Sequence, residues 1–432
     1  MTENITLNNH IIAHCNESIE IALSAERHPL WARSCPEMSD IDFTYFGLLR
    51  CIDNVDSGRH FLQKTDDIHD EQIPLSTYFN SLKSLRRTRM LEALEKQSYL
   101  LHCNTLASHG IDYLHLFPEL DQYTVEAADG HFIDHACHTE KGANGHVYSA
   151  GFIYSINLRN GVLKPLCCVT NGTTRNQEIP ALRNYIEKQN SETNKPEKCL
   201  YVYDKAVTDY RWWDHQKKHE NYMISVLKEN SAALFFESIP FDKSNEINTG
   251  VECYCIYENG GIKFSVVEYH DPETKTRHRF VTTLPTSINP GTIAMLYFKR
   301  WTIEKAFNNS KSNLKETKAW SSDFNALKNQ MRLTSMTYNL MRVLEEVSKT
   351  QDPELTHPSD KKYTKALEKR DQTAKKTGGF VNPLFFQSRI VRISSYTIRA
   401  VQHAIVTGKS LVWIRDALIA RLVSPVGKIV EH

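Results

Sequence analysis

Apolar residues recur every three or four positions through roughly the first 115 residues, which is typical of amphipathic helices. Residues 75–91 show the pattern most clearly, and this predicted helix also carries a cluster of cations that includes Arg86 and Arg87. Such a cluster has two interpretations, a solvated helix face or a surface that contacts a DNA backbone. The pattern of this region alone does not choose between them.

Near residue 123 the pattern changes to short β-prone runs separated by turn signals and helical segments. Two of the runs are followed directly by an aspartate, Asp129 and Asp204. The region predicts three strands, a helix, a strand, a helix and a strand, at residues 123–128, 147–157, 162–170, 176–189, 199–203, 207–219 and 222–227. This order predicts a mixed α/β layer with carboxylates at strand ends.

Residues 230–290 form a second β-rich segment, in which strands joined by turns replace the earlier alternation. We predict that it is an insertion in the α/β domain, with strands at residues 251–257, 263–269 and 279–284. A strongly helical stretch then extends from residue 289 to about 314, and helical spacing resumes near residue 320. Residues 353–379 are polar and lysine-rich, which predicts a linker or exposed arm before further helix at residues 394–422.

The 432 residues include 52 Lys+Arg and 51 Asp+Glu, so the formal net charge is +1. At about 150 residues per domain, this length predicts two or three domains that fold without disulfides. The ten cysteines show no C-x-x-C spacing, and we expect them to be reduced. The chain has neither an apolar run of about 18 residues nor a signal peptide, which predicts a soluble cytoplasmic protein without a membrane partner. The near-zero charge does not exclude nucleic acid, because a local patch can bind phosphate.

Three carboxylates are candidates for metal binding. Asp129 and Asp204 follow predicted strands, and Glu304 lies in the middle of a predicted helix. Hard cations such as Mg²⁺ take oxygen ligands, and two ions held together can activate an attacking oxygen and stabilise the leaving oxygen of a phosphodiester. The alternative is that each aspartate caps a turn or a helix, which is the commoner role at such positions.

The predicted helix around Glu304 favours the metal-binding interpretation. Its apolar residues, among them Ile303 and Phe307, form a separate stripe that we expect to face the core. Four polar residues fall within roughly 60° of one another at 100° per residue, namely Tyr297, Arg300, Glu304 and Lys311. A carboxylate flanked by cations could bind metal while the cations hold phosphates. The alternative is a surface salt bridge, because Arg300 and Glu304 are four residues apart.

The string Tyr297-x-x-Arg300-x-x-x-Glu304-x-x-x-x-x-x-Lys311 resembles the Tyr-Arg-Glu-Lys signature of a large group of bacterial insertion-sequence transposases of the DDE class. Those enzymes have a ribonuclease H-like catalytic core with two aspartates and one glutamate. Their group also carries a β-rich insertion between the second aspartate and the glutamate. Here that interval is 100 residues long and β-prone, and the resemblance covers about residues 120–320.

The resemblance implies an α/β fold in which a ribonuclease H-like catalytic core is interrupted by a β-rich insertion and flanked by helical N- and C-terminal regions. The implied domains are a helical N-terminal DNA-binding region, the first part of the core, the insertion, the second part of the core with the glutamate helix, and a C-terminal linker and helical region. Their predicted bounds are residues 1–118, 119–229, 230–290, 291–345 and 346–432.

The resemblance also assigns catalytic roles. Asp129 is similar to the first aspartate, Asp204 to the second, and Glu304 to the glutamate. These three would be both the catalytic residues and the ligands of two Mg²⁺ ions, for which Mn²⁺ can substitute. The rival aspartates Asp134 and Asp209 are less favoured, because neither directly follows its β-prone run.

Further residues take DNA-binding roles by the same resemblance. Tyr297, Arg300 and Lys311 are similar to residues that contact phosphates near the transposon end, and Trp301 to an aromatic residue that stacks near a distorted base. Asn308 stands where some relatives have a further lysine, so one cation contact is lost or moved.

The implied function is cut-and-paste DNA transposition. The partners would be double-stranded DNA, as terminal inverted repeats and as target, and a second copy of the chain in a homodimeric synaptic complex. The implied location is the bacterial cytoplasm, with action at the nucleoid. Two alternatives remain, a ribonuclease H-like nuclease without strand transfer and a domesticated derivative that only binds DNA.

Three other segments have both a functional and a structural interpretation. Residues 129–138 are rich in metal-ligand types, and His131 could lie near the metal, but no partner pair with zinc-site spacing is evident. The aromatic residues at 210–213 could stack on bases, although packing inside the protein is the commoner role. The lysine-rich residues 360–376 could order on DNA or form a solvated linker.

Overall fold

The computed structural model describes residues 6, 9, 11–13, 15–17, 19–20, 37–53, 57–66, 73–133, 150–169, 175–191, 198–204, 209–227, 231–272, 275–314, 316–351, 368–369, 372, 376, 395–410, 412–414 and 416–417. Asp134, the rest of the candidate zinc segment beyond residue 133, and most of the lysine-rich residues 360–376 lie outside this set. No helix among the described residues is long and apolar enough to cross a membrane.

The described α-helices are α1 (Asp40–Ile52), α2 (Gly58–Asp66), α3 (Leu75–Lys83), α4 (Leu85–Ser108), α5 (Arg175–Asn190), α6 (Tyr210–Lys218), α7 (Pro290–Lys299), α8 (Trp301–Asn313), α9 (Phe324–Gln351) and α10 (Ser395–Thr407). Short 3₁₀ turns cover Pro118–Leu120 and Glu246–Asn248. Helices α1 to α4 confirm the helical pattern that the N-terminal sequence predicts.

The described strands form one sheet in the order β3-β2-β1-β4-β5-β9-β8-β7-β6. Their bounds are β1 (Thr124–Ile133), β2 (Ala150–Asn157), β3 (Leu163–Val169), β4 (Cys199–Val202), β5 (Asn221–Val226), β6 (Leu234–Ser238), β7 (Val251–Asn259), β8 (Ile262–His270) and β9 (Arg277–Thr282). Strands β1 to β3 are antiparallel neighbours, whereas β4 pairs parallel with β1 and β5 pairs parallel with β4. This arrangement confirms the predicted α/β, ribonuclease H-like core.

The predicted β-rich insertion is present and continues the same sheet. Strand β9 pairs antiparallel with β5, and β8, β7 and β6 follow outward from it. The join is buried, because Thr282 and Ser225, on the two paired strands, are both inaccessible to solvent. The insertion therefore widens the sheet of the α/β core. Strand β6 was not predicted, since all five of its residues are exposed and no alternation marks it.

Helix α9 joins the N-terminal helices to the sheet. It contacts α1, α4 and strand β3. The Asn339 side chain both accepts from the backbone N–H of Leu163 at 2.8 Å and donates to its carbonyl at 2.7 Å. Gly47 of α1 lies close to α9, because a Cβ there would lie 2.5 Å from the Leu333 side chain and would displace it. One hydrophobic core thus runs from the N-terminal helices to the sheet.

Three sequence predictions about element bounds were wrong in detail. Strand β1 does not end before Asp129 but continues to Ile133, because residues 129–133 remain paired with β2. The helix predicted over residues 75–91 is divided at Ser84, whose hydroxyl caps α4 by accepting from the Arg87 N–H. The helix predicted over residues 289–314 is interrupted at Arg300.

Candidate active site

The interruption between α7 and α8 lies at the candidate site itself. The Arg300 N–H bonds to the carbonyls of both Leu296 and Tyr297, and the Ile303 N–H bonds to the Arg300 carbonyl at 3.0 Å. These bonds span three residues as well as four, so the helix tightens locally into a 3₁₀ turn, a feature often found at functional hinges. Arg300 is thereby set at the start of α8.

Helix α8 separates apolar from polar residues as the sequence predicts. Ile303, Ala306 and Phe307 are buried against the sheet. Glu304 is exposed, and Trp301 is 54% exposed despite its large apolar ring. The exposure of the Trp301 indole is unusual, because such rings normally bury much of their area.

Arg300 links two of the three candidate carboxylates. Its Nη2 lies 3.0 Å from Oε1 of Glu304, and its Nη1 lies 3.7 Å from Oδ2 of Asp129. The Arg300 side chain is only 7% exposed. The interpretation of Arg300 and Glu304 as a simple surface salt bridge is therefore insufficient, since a buried guanidinium also reaches a carboxylate on strand β1. The two carboxylates lie within the span of one guanidinium group.

Asp129 and Asp204 occupy equivalent levels on neighbouring parallel strands. Ala127 pairs with Val202, and each aspartate follows its paired residue by two positions. The Asp204 backbone is held against β5, because its carbonyl accepts a hydrogen bond from Ser225 Oγ at 3.0 Å. Parallel strands bring such residues to one edge of the sheet.

The charges of the three carboxylates act together on Arg300. Burial lowers the pKa of its guanidinium, but Tyr297, Glu304, Asp129 and Asp204 raise it more, so the pKa lies above its ordinary value. Asp204 therefore belongs to the same electrostatic cluster as Asp129 and Glu304.

Tyr297 packs beside the Arg300 guanidinium. Its ring is buried and packs 4.9 Å from the ring of Phe280, and the Arg300 guanidinium carbon lies 5.6 Å from its centre. Burial raises the pKa of its hydroxyl, an effect that the Arg300 charge partly opposes. The structure thus brings Tyr297, Arg300 and Glu304 together. Lys311 lies on α8, but its side chain is outside the described set.

The donor chemistry of the cluster suits a hard divalent cation, because carboxylate oxygens are the ligands that Mg²⁺ and Mn²⁺ prefer. Within the described ranges, however, no group of three or more His, Cys, Asp or Glu residues is close enough to hold a metal ion. Asp129 and Glu304 converge instead on Arg300. The chemistry of the site fits the ion, while its present geometry favours the guanidinium.

Arg86 and Arg87 have internal partners. Arg86 forms a two-pronged ion pair with Asp40, and its side chain is 13% exposed. Arg87 is buried, lies 3.3 Å from the same carboxylate, donates to the Met38 carbonyl and stacks 4.7 Å from the centre of the Phe43 ring. These contacts tie α4 to α1 and weigh against a direct DNA contact by Arg87.

The remaining candidate residues, Asp209 and the aromatic residues at 210–213, have structural roles. Asp209 caps α6, since its side chain accepts from the Trp212 N–H at 3.1 Å, and it pairs with Arg183. Trp213 is buried and Tyr210 stacks on Phe264 at 4.3 Å, so these aromatic residues pack inside the protein. No disulfide joins two of the cysteines that the structure describes.

His131 is buried, and its ring lies close to the carboxylate of Glu316. Its Nε2 lies 3.3 Å from Oε2 of Glu316, which also accepts a hydrogen bond from the Tyr154 hydroxyl at 2.8 Å through Oε1. Sequence reasoning missed Glu316 and Tyr154. No spacing marks them, because their contacts join β1, β2 and the segment after α8.

Comparison with known families agrees with this geometry. A family model described as the transposase DDE domain matches residues 122–340, which span strand β1, the insertion, helix α8 and most of α9. No significant match was found among curated proteins. Because the family model covers more than half of the 432 residues, this chain belongs to the transposase DDE domain family.

Proposed function

We propose that this transposase acts by cut-and-paste transposition, cleaving DNA at the terminal inverted repeats of its element and joining the freed ends to target DNA. The observation that carries the proposal is the convergence of Asp129 and Glu304 on one buried guanidinium, with Asp204 at the same edge of the sheet. Charged groups that shift one another's pKa, as these carboxylates shift that of Arg300, cluster at functional sites.

Asp129, Asp204 and Glu304 are the residues that would hold the cations, two Mg²⁺ ions or Mn²⁺ in their place. Bound there, the cations would activate an attacking oxygen and stabilise the leaving oxygen of a phosphodiester. The backbone supports these roles, since Asp129 is fixed within a paired strand and Asp204 lies two residues beyond the end of β4.

Other residues of the chain position the DNA in this proposal. Arg300 would turn from the carboxylates to a phosphate oxygen, which a guanidinium can bind through two hydrogen bonds. Trp301 has half of its surface free to stack on a base at the element's end. Lys311, about two turns beyond Glu304 along α8, would add a contact to the DNA backbone. The N-terminal helical region, including Arg86, would recognise the repeats.

A homodimer follows from the chemistry, because two ends must be cut and joined together. We infer that the active form is a pair of chains bound to two element ends. Size-exclusion chromatography with light scattering, with and without end DNA, tests this directly. A complex that stays at one chain per end through cleavage and joining would contradict it.

The proposed function is tested with Glu304→Gln, which keeps the side chain's size and removes its charge. The substrate is DNA that carries the inverted repeats flanking the gene, identified by sequencing on both sides. We expect cleavage to fall at least about a thousandfold, because electrostatic stabilisation at the reacting phosphate is lost. Binding of the same DNA should stay within a few-fold, because Glu304 is not needed for contact with the repeats.

Asp214→Asn is the matched control. Asp214 is a half-exposed carboxylate on α6 that pairs with Lys218 at 3.2 Å, away from the site. This variant should cleave normally. Normal cleavage by Glu304→Gln would refute the assignment. Cleavage without joining to a target plasmid would indicate a nuclease without strand transfer, and metal-independent binding without any nicking would indicate a domesticated DNA-binding protein.

A further inference from the structure

Strand β1 contacts helix α8 at two points. Asp129 and His131 are two residues apart and therefore lie on the same face of the strand. Asp129 meets Arg300 at the start of α8, whereas the His131 ring lies 5.0 Å from the ring of Phe307, two turns further along. Glu304 lies between these points, so its distance from Asp129 depends on both contacts.

Three buried polar side chains surround the contact between His131 and Phe307. His131, Tyr154 and Glu316 are each at most 2% exposed. The Tyr154 hydroxyl donates to Oε1 of Glu316 at 2.8 Å, and His131 Nε2 lies 3.3 Å from Oε2. The Tyr154 ring also packs 5.8 Å from Phe307. Because a buried polar group is costly unless it is paired, the hydrogen bond fixes Tyr154 relative to Glu316, and the His131 ring lies close to both of them.

Glu316 also holds the end of the glutamate helix. Its backbone N–H donates to the carbonyl of Ser310, in the last turn of α8, at 3.0 Å. The three side chains therefore connect β1, β2 and the C-terminal end of α8. Burial, and the neighbouring Glu316, hold the pKa of Tyr154 well above its ordinary value, so its hydroxyl remains a hydrogen-bond donor.

We propose that His131, Tyr154 and Glu316 form a positioning clamp that sets the separation of Asp129 and Glu304, and through it the affinity of the acidic site for divalent cations. The clamp touches neither the cations nor the DNA, so its members are positioning residues. The inference rests on the proposed function, because it assumes that Asp129 and Glu304 are cation ligands.

The test measures Mn²⁺ binding to the full-length protein without DNA, by titration with electron paramagnetic resonance detection of free Mn²⁺. Glu316→Gln should weaken binding about tenfold, the usual effect of losing a residue that orients a ligand. Tyr154→Phe keeps the ring against Phe307 and loses only the hydroxyl, and it should weaken binding a few-fold. The double variant should bind at least as weakly as Glu316→Gln, because the glutamine amide oxygen can still accept from Tyr154 and the second change removes that contact too.

Glu345→Gln is the matched control. Glu345 is a similarly buried carboxylate that accepts from Thr397 Oγ1 at 2.9 Å, between α9 and α10. It should lower the melting temperature about as much as Glu316→Gln while leaving Mn²⁺ affinity unchanged. Cleavage by Glu316→Gln should recover towards wild type at high Mn²⁺, whereas a general loss of stability would not show this rescue.

Asp129→Asn and Glu304→Gln separate the possible failures. If neither changes Mn²⁺ binding, the proposed function is wrong. If both abolish it but Glu316→Gln and Tyr154→Phe bind Mn²⁺ as well as Glu345→Gln does, the acidic site stands and the clamp is refuted. Should Glu316→Gln fail to fold, Tyr154→Phe alone decides between these outcomes.

Discussion

Arg300 occupies the position where cations would be held, and its replacement should strengthen cation binding. The informative change is Arg300→Met, which keeps the aliphatic stem that packs in this buried position and removes the charge. In the wild-type protein, an arriving cation must displace two ion pairs, to Glu304 at 3.0 Å and to Asp129 at 3.7 Å. In Arg300→Met, an arriving cation would displace no ion pair.

The size of the effect follows from the geometry. Two unit charges about 4 Å apart attract by about 4 kcal/mol at an effective dielectric constant of 20, before the cost of desolvation. Exposed pairs retain only about 0.2–1 kcal/mol, and Glu304 is about half exposed while Asp129 is a quarter exposed. We therefore expect the two pairs together to contribute about 2 kcal/mol, which corresponds to a roughly thirtyfold gain in Mn²⁺ affinity.

The assay is isothermal titration of full-length protein with Mn²⁺ in the absence of DNA. Arg183→Met is the control, because Arg183 forms an ion pair of similar length with Asp209, at 3.0 Å, on α5 and α6. That variant should bind Mn²⁺ like wild type. Arg300→Met should bind Mn²⁺ more tightly and yet cleave DNA more slowly, since its phosphate contact is gone. Unchanged or weaker Mn²⁺ binding would refute the view that Arg300 competes with the cation.

Two further predictions concern stacking and pH. Trp301→Ala should reduce cleavage about tenfold, since base stacking contributes about 1–3 kcal/mol. Its melting temperature should change little. Phe324→Ala, which removes another exposed aromatic side chain, is the control, and an equal loss of cleavage in that variant would contradict a specific role for Trp301. Burial and the nearby charge of Glu92 raise the pKa of Glu95 to about 7, although neighbouring cations lower it. Because the folded state then binds more protons, stability should fall as pH rises from about 4.5 to 7, by up to about 3 kcal/mol. Urea unfolding of Glu95→Gln should lack this pH dependence, and a slope equal to that of wild type would contradict it.

Much of the fold could be predicted because burial leaves a periodic pattern. Strands β7 and β8 lie within two residues of their predicted bounds, and helix α8 buries its apolar stripe as the sequence predicts. Strand β6 escaped prediction because it lies at the edge of the sheet with no buried side. The extension of β1 past Asp129 was missed because Gly130 is typical of a turn, whereas pairing with β2 keeps it extended.

The candidate site was predictable where it depends on local spacing. Tyr297, Arg300 and Glu304 share one helical face whatever the rest of the chain does. Contacts between distant segments left no such pattern. The pairing of Arg86 with Asp40 joins residues 46 positions apart, and that of Tyr154 with Glu316 joins residues 162 apart. The cluster of cations on this helix left two interpretations open, and its spacing gave no sign that Arg86 and Arg87 both contact Asp40 of another helix.

The charge of the site indicates an order of assembly. Three carboxylates face one guanidinium, so the cluster keeps a negative charge that repels a phosphate backbone. Cations bound to the carboxylates would reverse that charge and release Arg300, which then becomes available to a phosphate oxygen. The element's end should therefore first be held by contacts outside this cluster, and enter it only after the cations have bound. Footprinting of the reacting phosphate with and without Mg²⁺ tests this order, because protection of that phosphate should require the cation while protection of the repeats should not.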